Sequence, residues 1–358
     1  MTVVFAGGGT GGHIYPAIAI ADALRQRAAK ISFIGTADRL EARIVPQAGY
    51  DLHTIAAHAL PRRFSLELFR TFAANVAGTV QSFKLLGRER PDLVVATGGY
   101  VSFPVALAAR ILRMTHRSPA IVLLEPNAEP GLTNRLLAPI VDEVWGAQTT
   151  GVPIRASLAH LPSREAAAAR LGLSPALQTL VVMGGSQGAR RINDSVIDLV
   201  RTGGLPDGWQ LLHLTGEGEF QRAREAARAI AGSQYVALPY LDDMAGAYAV
   251  ADLLIARAGA STLAELGALG KPAILVPYPH AAGGHQASNA ARLEAGGAAV
   301  VVTDRQLRDG ALSALLAQTV EPARLEAMTQ AAQASRSGDA VAAILARIDR
   351  LVSRNSER

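Results

Sequence analysis

The sequence has no cysteine among its 358 residues. That absence excludes disulfides, thiolate nucleophiles and thiolate metal sites, and it is typical of a protein from a reducing compartment. No apolar run reaches the roughly 18 residues that a membrane-spanning helix needs. The first residues also lack the basic and apolar regions of a signal peptide. We therefore expect a cytoplasmic protein that does not cross a bilayer.

Few charged residues and few aromatic residues occur, at 18% and 5% of the chain, whereas apolar residues make up 49%. This composition is typical of a globular protein, and the length allows two domains. The formal net charge of +5 favours anionic partners. Because zinc-finger spacing, aromatic RNA-binding signatures and dense Lys/Arg blocks are all missing, we do not expect nucleic acid among them. No Asp-x-Asp motif occurs either, and we expect neither a metal nor a cofactor.

The first half of the chain alternates short apolar runs with helical patterns. The periodicity predicts a helix over Ala17 to Ala29 and strands at Thr2 to Ala6, Ile31 to Gly35, Leu93 to Ala96 and Ala120 to Leu124. Such alternation is typical of an α/β domain with a parallel sheet and crossover helices.

The second half repeats this pattern. A helix is predicted over Ile192 to Val200, and strands are predicted at Thr179 to Met183, Gln210 to Leu214, Tyr235 to Ala237, Leu253 to Ala256, Ala273 to Val276 and Ala299 to Val302. Gly and Pro interrupt both periodicities between Gly151 and Arg155, where we place a linker. The last segment has an apolar helical face. We therefore expect domains at 1–155 and 156–337, with a helix at 338–358 that packs back on the first domain.

A glycine loop, Gly7 to His13, joins the first strand to the first helix and satisfies the G-x-G-x-x-G pattern. Glycines let a phosphate approach the backbone, and a helix N-terminus offers free N–H groups and a positive dipole end. Two alternatives stay open. The loop could be a tight turn without a ligand, or the dinucleotide-binding turn of a NAD-dependent dehydrogenase, for which Asp38 stands where the ribose-binding acid would be.

Similar glycine turns follow two other apolar strands, at Gly98 to Tyr100 and at Gly184 to Gly188. One dinucleotide site does not need all three. Loops at the carboxyl ends of parallel strands in two domains instead predict a cleft between the domains, with donor and acceptor on opposite walls.

A fourth motif, Arg257 to Glu265, follows a strand and opens a helix. Its backbone amides could receive a diphosphate, and the Glu265 carboxylate could accept hydrogen bonds from both hydroxyls of a ribose. The alternative is a capping box, because Thr262 and Glu265 have the T-x-x-E spacing that needs no ligand.

Taken together, several segments resemble the MurG family of glycosyltransferases in the same order, from Gly7 to Asn289. They are GGGTGGHIYPA, IGTADRLEARIVPQAGY, ATGGYVSFP, PGLTN, GGSQGAR, YLDDMAGAYAVADLLIARAGASTLAELGALGKPAILVPYP and HQASNA. The resemblance implies the GT-B fold, with two Rossmann-like domains whose parallel sheets face an interdomain cleft. It also implies an inverting transfer of N-acetylglucosamine from UDP-N-acetylglucosamine to lipid I (undecaprenyl-pyrophosphoryl-N-acetylmuramoyl-pentapeptide), on the cytoplasmic face of the inner membrane in cell-wall synthesis.

The resemblance also implies roles for single residues. Thr10, Gly11 and Gly12 would lie beside donor and acceptor, Asn127 and Gln286 would contact the donor sugar, and Leu241 would pack at the uracil. Arg155 and Ser186 would serve the nucleotide and its phosphates. Ala260, Ser261 and Thr262 would bind the diphosphate region, and Glu265 would hold the ribose. Leu263 and Ala264, which lie between them, would belong to the same substrate-binding segment. The sequence departs from the family pattern at Phe103, at Leu124 to Asn127 and at Ala281 to Gly284.

An inverting displacement needs a base that takes the proton of the acceptor hydroxyl. We predict His13 for this role, because a helix N-terminus disfavours imidazolium and keeps the ring neutral. Glu125 is the reserve candidate. The alternative for His13 is a purely structural hydrogen bond that closes its loop.

A lipid acceptor implies a membrane-facing surface. Phe69, Phe72, Val76, Val80 and Phe83 fall on one helical stripe, near Arg62, Arg63, Arg70, Lys84 and Arg88. Such a segment could lie in the interface of an anionic membrane, or it could be an ordinary core-facing helix. Two further functions stay open, a UDP-N-acetylglucosamine 2-epimerase and a non-catalytic UDP-sugar-binding scaffold.

Overall fold

The structure is a computed structural model that describes residues 1–59, 66–114, 119–185, 188–228, 235–281, 284–336 and 338–356. Its contacts divide the chain into two compact units. Unit 1 contains Met1–Arg155 and Gly338–Arg358, and unit 2 contains Ala156–Ser337.

Unit 1 is a parallel sheet with helices on both faces. The strands are β1 Thr2–Ala6, β2 Lys30–Gly35, β3 Asp51–Thr54, β4 Leu93–Ala96, β5 Ala120–Glu125 and β6 Glu143–Gly146. The helices in chain order are α1 Gly11–Arg25, α2 Leu40–Gln47, α3 Leu66–Glu89, α4 Ser102–Leu112 and α5 Leu132–Leu137, followed by a short 3₁₀ turn, Ala138–Ile140. The last helix of the chain, Ala340–Ser356, also belongs to this unit.

Unit 2 has the same organisation. Its strands are β7 Gln178–Met183, β8 Trp209–Leu214, β9 Tyr235–Leu238, β10 Leu253–Ala256, β11 Ala273–Leu275 and β12 Ala299–Val301. Its helices are α6 Arg164–Leu171, α7 Arg190–Arg201, α8 Phe220–Arg228, α9 Met244–Val250, α10 Ala260–Leu269, α11 His285–Ala295, α12 Asp304–Arg308, α13 Ala311–Thr319 and α14 Pro322–Ala334. The terminal helix Ala340–Ser356 is therefore α15.

The two sheets share one strand order. In unit 1 it is β3-β2-β1-β4-β5-β6, and in unit 2 it is β9-β8-β7-β10-β11-β12. In each sheet, the first three strands in the chain are added towards one edge, and the fourth to sixth strands are added towards the other edge. The switch point lies between the first and the fourth strand. In open α/β sheets, ligands bind beyond the carboxyl ends of the strands at this switch point. The predicted α/β fold with two Rossmann-like domains is confirmed, and the switch points show where each unit is expected to bind.

Alternating side chains of the buried strands supply the cores. In β1, Val3 and Phe5 face one side of the sheet, and Val4 and Ala6 face the other. The first side is covered by α1, α2 and α15, and α15 contributes Ile344, Ile348 and Leu351 to that core. The second side is covered mainly by α3, α4 and α5.

Two expectations about elements are wrong. Helix α1 begins at Gly11 rather than Ala17, so the glycine loop is shorter than predicted and His13 lies in the first helical turn. Strands β3 and β6 were missed because each has only four residues, and at most two of these are large and apolar, so neither forms an apolar run.

Candidate functional site

At the switch point of unit 1, the loops after β1 and β4 are in direct contact. Gly99 has a φ of +77°, and a Cβ built on it would lie 2.6 Å from the carbonyl oxygen of Gly8. A side chain at Gly99 would therefore meet rigid backbone. The glycines serve this close approach, and they bring the start of α1 next to the end of β4.

His13 is the third residue of α1, and its partly buried ring reaches across to β4. Its Nδ1 lies 2.7 Å from the carbonyl oxygen of Thr97. Because a carbonyl can only accept, Nδ1 carries the hydrogen, and the Nε2 of the neutral ring carries the lone pair. Gly98 makes room for the ring, since a Cβ there would lie 2.5 Å from Nδ1.

The surroundings of His13 favour its neutral form. Burial lowers the pKa of the imidazole, while the bond to Thr97 and the charges of Glu125 and Glu41 act in the opposite direction. The hydrogen bond expected of a structural histidine is present. It uses only one ring nitrogen, however, so the arrangement also fits a base that acts through Nε2.

Glu125, the last residue of β5, is buried and holds the loop that follows it. Its Oε1 accepts from the backbone and side-chain N–H groups of Asn127, at 2.9 and 3.0 Å. Its Oε2 accepts from Gly131 N–H at 3.1 Å and from the Asn134 amide at 2.7 Å. A carboxylate engaged by four donors orients Asn127 and is poorly placed to take a proton.

The remaining predicted residues of unit 1 lie around the same helix start. Thr10 is the extended N-cap of α1, and Gly11 and Gly12 are its first two residues. Tyr15 lies one turn further on, and the Arg155 guanidinium stacks over its ring, 4.8 Å from the centroid. The structure thus brings Thr10, Gly11, Gly12 and His13 together and connects Arg155 to the same helix.

Unit 2 has the corresponding loops at its own switch point. The loop after β7 contains Gly184, Gly185 and Gly188, while Ser186 and Gln187 lie outside the described residues. Gly188 has a φ of +75° and packs against the carbonyl group of Thr215. Asn193 of α7 donates to that carbonyl at 2.8 Å, so a buried side chain fixes the backbone on which the glycine loop rests.

Helix α10 begins directly after the loop that follows β10. Gly259 is its N-cap, so Ala260, Ser261 and Thr262 form the first helical turn. The first amides of a helix have no intrahelical acceptor and can bind an anion. Ser261 adds a buried Oγ that finds no partner among the described residues. This helix start is a polar site with the chemistry that a diphosphate requires.

The capping-box alternative is wrong. Thr262 is the third residue of α10 and not its N-cap, and Glu265 is the sixth. The Glu265 side chain is 4% exposed, and its Oε2 accepts from the Tyr248 hydroxyl at 2.6 Å. Leu263 and Ala264 lie between them in the helix, with Leu263 buried.

Two predicted residues lie outside this helix. Leu241 is half-buried in the connection between β9 and α9. Gln286 is the second residue of α11, and its Oε1 accepts from the Tyr278 N–H at 2.8 Å.

Arg257, at the start of the β10 loop, holds that loop in place. Its guanidinium pairs with Asp304 of α12 at 2.5 Å and donates to the carbonyl oxygens of Val276 and Pro277. It therefore fastens the loop to the neighbouring strand end.

Three buried residues of these sites were not predicted from the sequence, namely Glu41, Asn134 and Tyr248. Each acts on a residue of another element, which lies 32 residues away for Glu41, 17 for Tyr248 and nine for Asn134. The sequence signal that could have found them is a polar residue within an otherwise apolar helical face, since such a residue needs a buried partner.

The chain matches two domains of one family over most of its length. Residues 3–145 match the glycosyltransferase family 28 N-terminal domain, and residues 179–344 match the family's C-terminal domain.

Curated relatives and solved structures give the same result. The UDP-N-acetylglucosamine–N-acetylmuramyl-(pentapeptide) pyrophosphoryl-undecaprenol N-acetylglucosamine transferase of Halothermothrix orenii is 41% identical, over 93% of this chain and 94% of that protein. The transferase of the same name from Desulfitobacterium hafniense is also 41% identical, over 95% and 96%. The crystal structure of Acinetobacter baumannii MurG has a TM-score of 0.76 at 24% identity, covers 98% of this chain and 99% of that one, and confirms the GT-B fold. The chain therefore belongs to glycosyltransferase family 28 and, within it, to the MurG family.

Proposed function

We propose that the protein transfers N-acetylglucosamine from UDP-N-acetylglucosamine to the 4-hydroxyl of the N-acetylmuramoyl residue of lipid I, with inversion, giving lipid II for peptidoglycan synthesis. The observation that carries this proposal is the likeness to transferases named for that reaction, at about 40% identity over more than nine-tenths of both chains. The two switch-point sites support it, because each unit has glycine loops where a ligand is expected.

Unit 2 is proposed to bind the donor. The free amides at the start of α10 and the Ser261 hydroxyl suit a diphosphate, and the Glu265 carboxylate suits the two hydroxyls of a ribose. By the resemblance, Leu241 packs against the uracil, Gln286 contacts the sugar, and Ser186 and Arg155 serve the nucleotide. Negative charge that develops on the leaving UDP is then met by oriented backbone dipoles.

Unit 1 is proposed to bind the acceptor and to supply the base. The Nε2 of His13 takes the proton of the attacking hydroxyl, since Nδ1 is committed to Thr97. Glu125 orients Asn127 and stabilises the imidazolium that forms, because its negative charge raises the pKa of His13. Thr10, Gly11 and Gly12 supply the helix start beside which the acceptor is placed.

The exposed face of α3 is proposed to bind the membrane that carries the lipid acceptor. Phe69 and Phe72 are 70% and 67% exposed, and Val76 and Val80 are about half exposed. Phe83 differs from the expectation, because it packs against the core of unit 1. Arg70, Lys84 and Arg88 are exposed on the same helix, whereas Arg62 and Arg63 lie outside the described residues.

Two further observations bear on this surface. Ile111 and Met114, at the end of the neighbouring α4, are also exposed. In the described part of the chain, no helix has the length and apolarity needed to cross a bilayer. An apolar face bordered by basic residues is suited to peripheral attachment at the cytoplasmic, anionic surface of the inner membrane.

The test is to incubate the purified protein with radiolabelled UDP-N-acetylglucosamine and a lipid I analogue. We expect label in the lipid product and none in UDP-N-acetylmannosamine, which a 2-epimerase would form, or in N-acetylmannosamine, which a hydrolysing 2-epimerase would release. Label in either of these products, or binding of UDP-N-acetylglucosamine without any transfer, would contradict the proposal in favour of the epimerase or the non-catalytic scaffold.

The assignment of the base is tested by His13→Ala in the same assay. We expect turnover to fall by about 10²-fold or more, because general-base catalysis contributes about that factor. Circular dichroism and UDP affinity serve as folding controls. A variant that is folded and fully active would remove His13 from the mechanism.

A further inference from the structure

Glu41 is a fully buried carboxylate with no part in the mechanism above. It is the second residue of α2, and it accepts hydrogen bonds from two loops. Its Oε2 accepts from Gly9 N–H of the first glycine loop at 2.9 Å. Its Oε1 accepts from the N–H and the hydroxyl of Thr36, at 3.1 and 2.7 Å. A buried carboxylate is costly unless several donors satisfy it, and here three donors do so.

Two glycines make room for this side chain. A Cβ on Gly35 would lie 2.7 Å from Cγ of Glu41, and the three atoms nearest to a Cβ on Gly8 all belong to its carboxyl group. Gly9, the residue that Glu41 binds, has a φ of +88°. The carboxylate therefore fills the inside of the first glycine loop, in contact with the loop backbone.

This contact leads directly to His13. Gly9 precedes Thr10, the N-cap of α1, and the Thr10 carbonyl accepts from the backbone N–H of His13 at 3.2 Å. Glu41 also acts through its charge, which raises the pKa of His13 against the lowering by burial. Glu125 on β5 is the other carboxylate that acts on the ring in this way.

We propose that Glu41 is a positioning residue for the transfer reaction, which holds the first glycine loop so that α1 begins at Gly11 and His13 reaches the acceptor site. This proposal rests on the function proposed above. In that function, Glu41 touches neither the substrate nor the reacting atoms. It acts on His13 through the backbone of Gly9 and through its negative charge.

The first test is the near-isosteric variant Glu41→Gln. It removes the charge and turns an amide N–H₂ towards a backbone N–H. We expect kcat to fall by about 10- to 100-fold, since displacing a catalytic group by about 1 Å costs that order, while the KM for UDP-N-acetylglucosamine stays within about twofold. The acid limb of the pH–rate profile should also move to lower pH, because a histidine that loses a nearby anion has a lower pKa.

The matched control is Asp38→Asn, three residues earlier in the same connection. The Asp38 side chain is 70% exposed and pairs with Arg39, so the same change of charge should leave kcat and the acid limb unchanged. A Glu41→Gln enzyme with wild-type kcat overturns the proposal. An unchanged acid limb of the pH–rate profile also overturns the proposal, because a carboxylate with a merely structural role would not affect that limb.

A second test does not depend on activity. Gly8→Ala should lower the unfolding midpoint of the wild-type chain, because the new methyl group meets the Glu41 carboxyl group. In a Glu41→Ala background, Gly8→Ala should lower the unfolding midpoint by less than half as much, because the Glu41 carboxyl group is no longer there to obstruct the new methyl group. Equal costs would overturn the proposal. If the wild-type chain transfers no sugar, the proposed function fails, but this cycle still shows whether Glu41 holds the loop.

Discussion

The Tyr248 hydroxyl donates to Oε2 of Glu265 in α10 at 2.6 Å, and both residues are buried. This bond orients the carboxylate proposed to hold the ribose. Phenylalanine would keep the ring and remove the donor, so Tyr248→Phe should raise the Kd for UDP by about tenfold. It should also reduce the preference for UDP over 2′-deoxy-UDP. Isothermal titration calorimetry with both nucleotides measures the two effects.

Tyr50→Phe is a suitable control for that measurement. Tyr50 donates to Asp22 at 2.7 Å in unit 1, so the variant loses the same kind of tyrosine–carboxylate bond away from the proposed donor site. We expect its affinity for both nucleotides to be unchanged. If Tyr248→Phe also leaves them unchanged, Tyr248 supports the fold of α10 and not the nucleotide.

His213 illustrates how a buried polar residue makes stability depend on pH. It is enclosed in β8, where its Nδ1 accepts from the Tyr235 hydroxyl at 2.8 Å. Its Nε2–H donates to Asn193 Oδ1 at 3.0 Å. Burial, with a smaller contribution from the charge of Arg222, lowers its pKa to about 3. The folded protein therefore keeps this ring neutral where the unfolded chain protonates it.

The sign of the effect follows from linkage. The folded-state pKa lies below the unfolded value, so this contribution to stability is complete above about pH 6.5 and is lost as the pH falls towards 3. His213→Gln can make the same two hydrogen bonds but cannot titrate. The unfolding free energy of both proteins should fall between about pH 7 and pH 5. We expect the fall to be about 2 kcal/mol smaller in the variant than in the wild type. Denaturant titrations at both pH values measure the difference, and parallel losses would contradict it.

At the scale of elements, a strand could be predicted from the sequence where its residues form a continuous apolar run. The apolar runs of β1, β4 and β10 were found with their observed limits, because strands buried on both faces are continuously apolar. Strands β3 and β6 were not found. Each lies at the edge of its sheet, where a partly exposed strand can be short and polar.

The start of α1 shows why the site was harder to predict than the fold. Two glycines and a histidine are weak helix formers, and the helical periodicity of apolar residues indicated a start at Ala17, after Pro16. The contacts of the loops with Glu41 and with the end of β4 determine the observed start at Gly11. His13 and Glu265 were identified because each belongs to a motif that follows an apolar strand, and Glu125 directly follows the strand predicted at Ala120 to Leu124. Glu41 and Tyr248 act across long sequence separations that no local pattern reports.

Helix α3 provides a prediction about the membrane. Phe69→Gln/Phe72→Gln removes two exposed rings without changing the charge of the basic residues nearby. Because each ring that enters the interface contributes to binding, the affinity for phosphatidylglycerol vesicles should fall by about tenfold or more. Flotation at low salt measures it. The control Phe69→Leu/Phe72→Leu keeps apolar side chains and should bind nearly as the wild type does. Equal flotation of both variants would show that α3 does not face the lipid.

At the scale of the whole chain, the two units use one topology twice, but they are not built alike. Unit 2 is a single stretch of chain, whereas unit 1 is completed by α15 from the far end of the sequence. Arg347 pairs with Glu143, and Arg27 pairs with Asp349, on either side of the apolar face of α15. The first pair is partly buried and the second is exposed. Ion pairs near the surface contribute little, so the buried face carries most of the attachment.

The attachment of α15 predicts which unit its substitution weakens. Ile348 is fully buried in the core shared with α1 and β5, so Ile348→Ala should lower the unfolding free energy of unit 1 by about 2–4 kcal/mol. Arg350→Ala, exposed on the same helix, should change it little. Hydrogen exchange resolves the two units, since amides of β1 and β4 should lose protection in Ile348→Ala while those of β7 and β10 keep theirs. Because the diphosphate and ribose sites proposed at α10 lie in unit 2, UDP binding should survive. Equal loss of protection in both sheets would show that the two units unfold together.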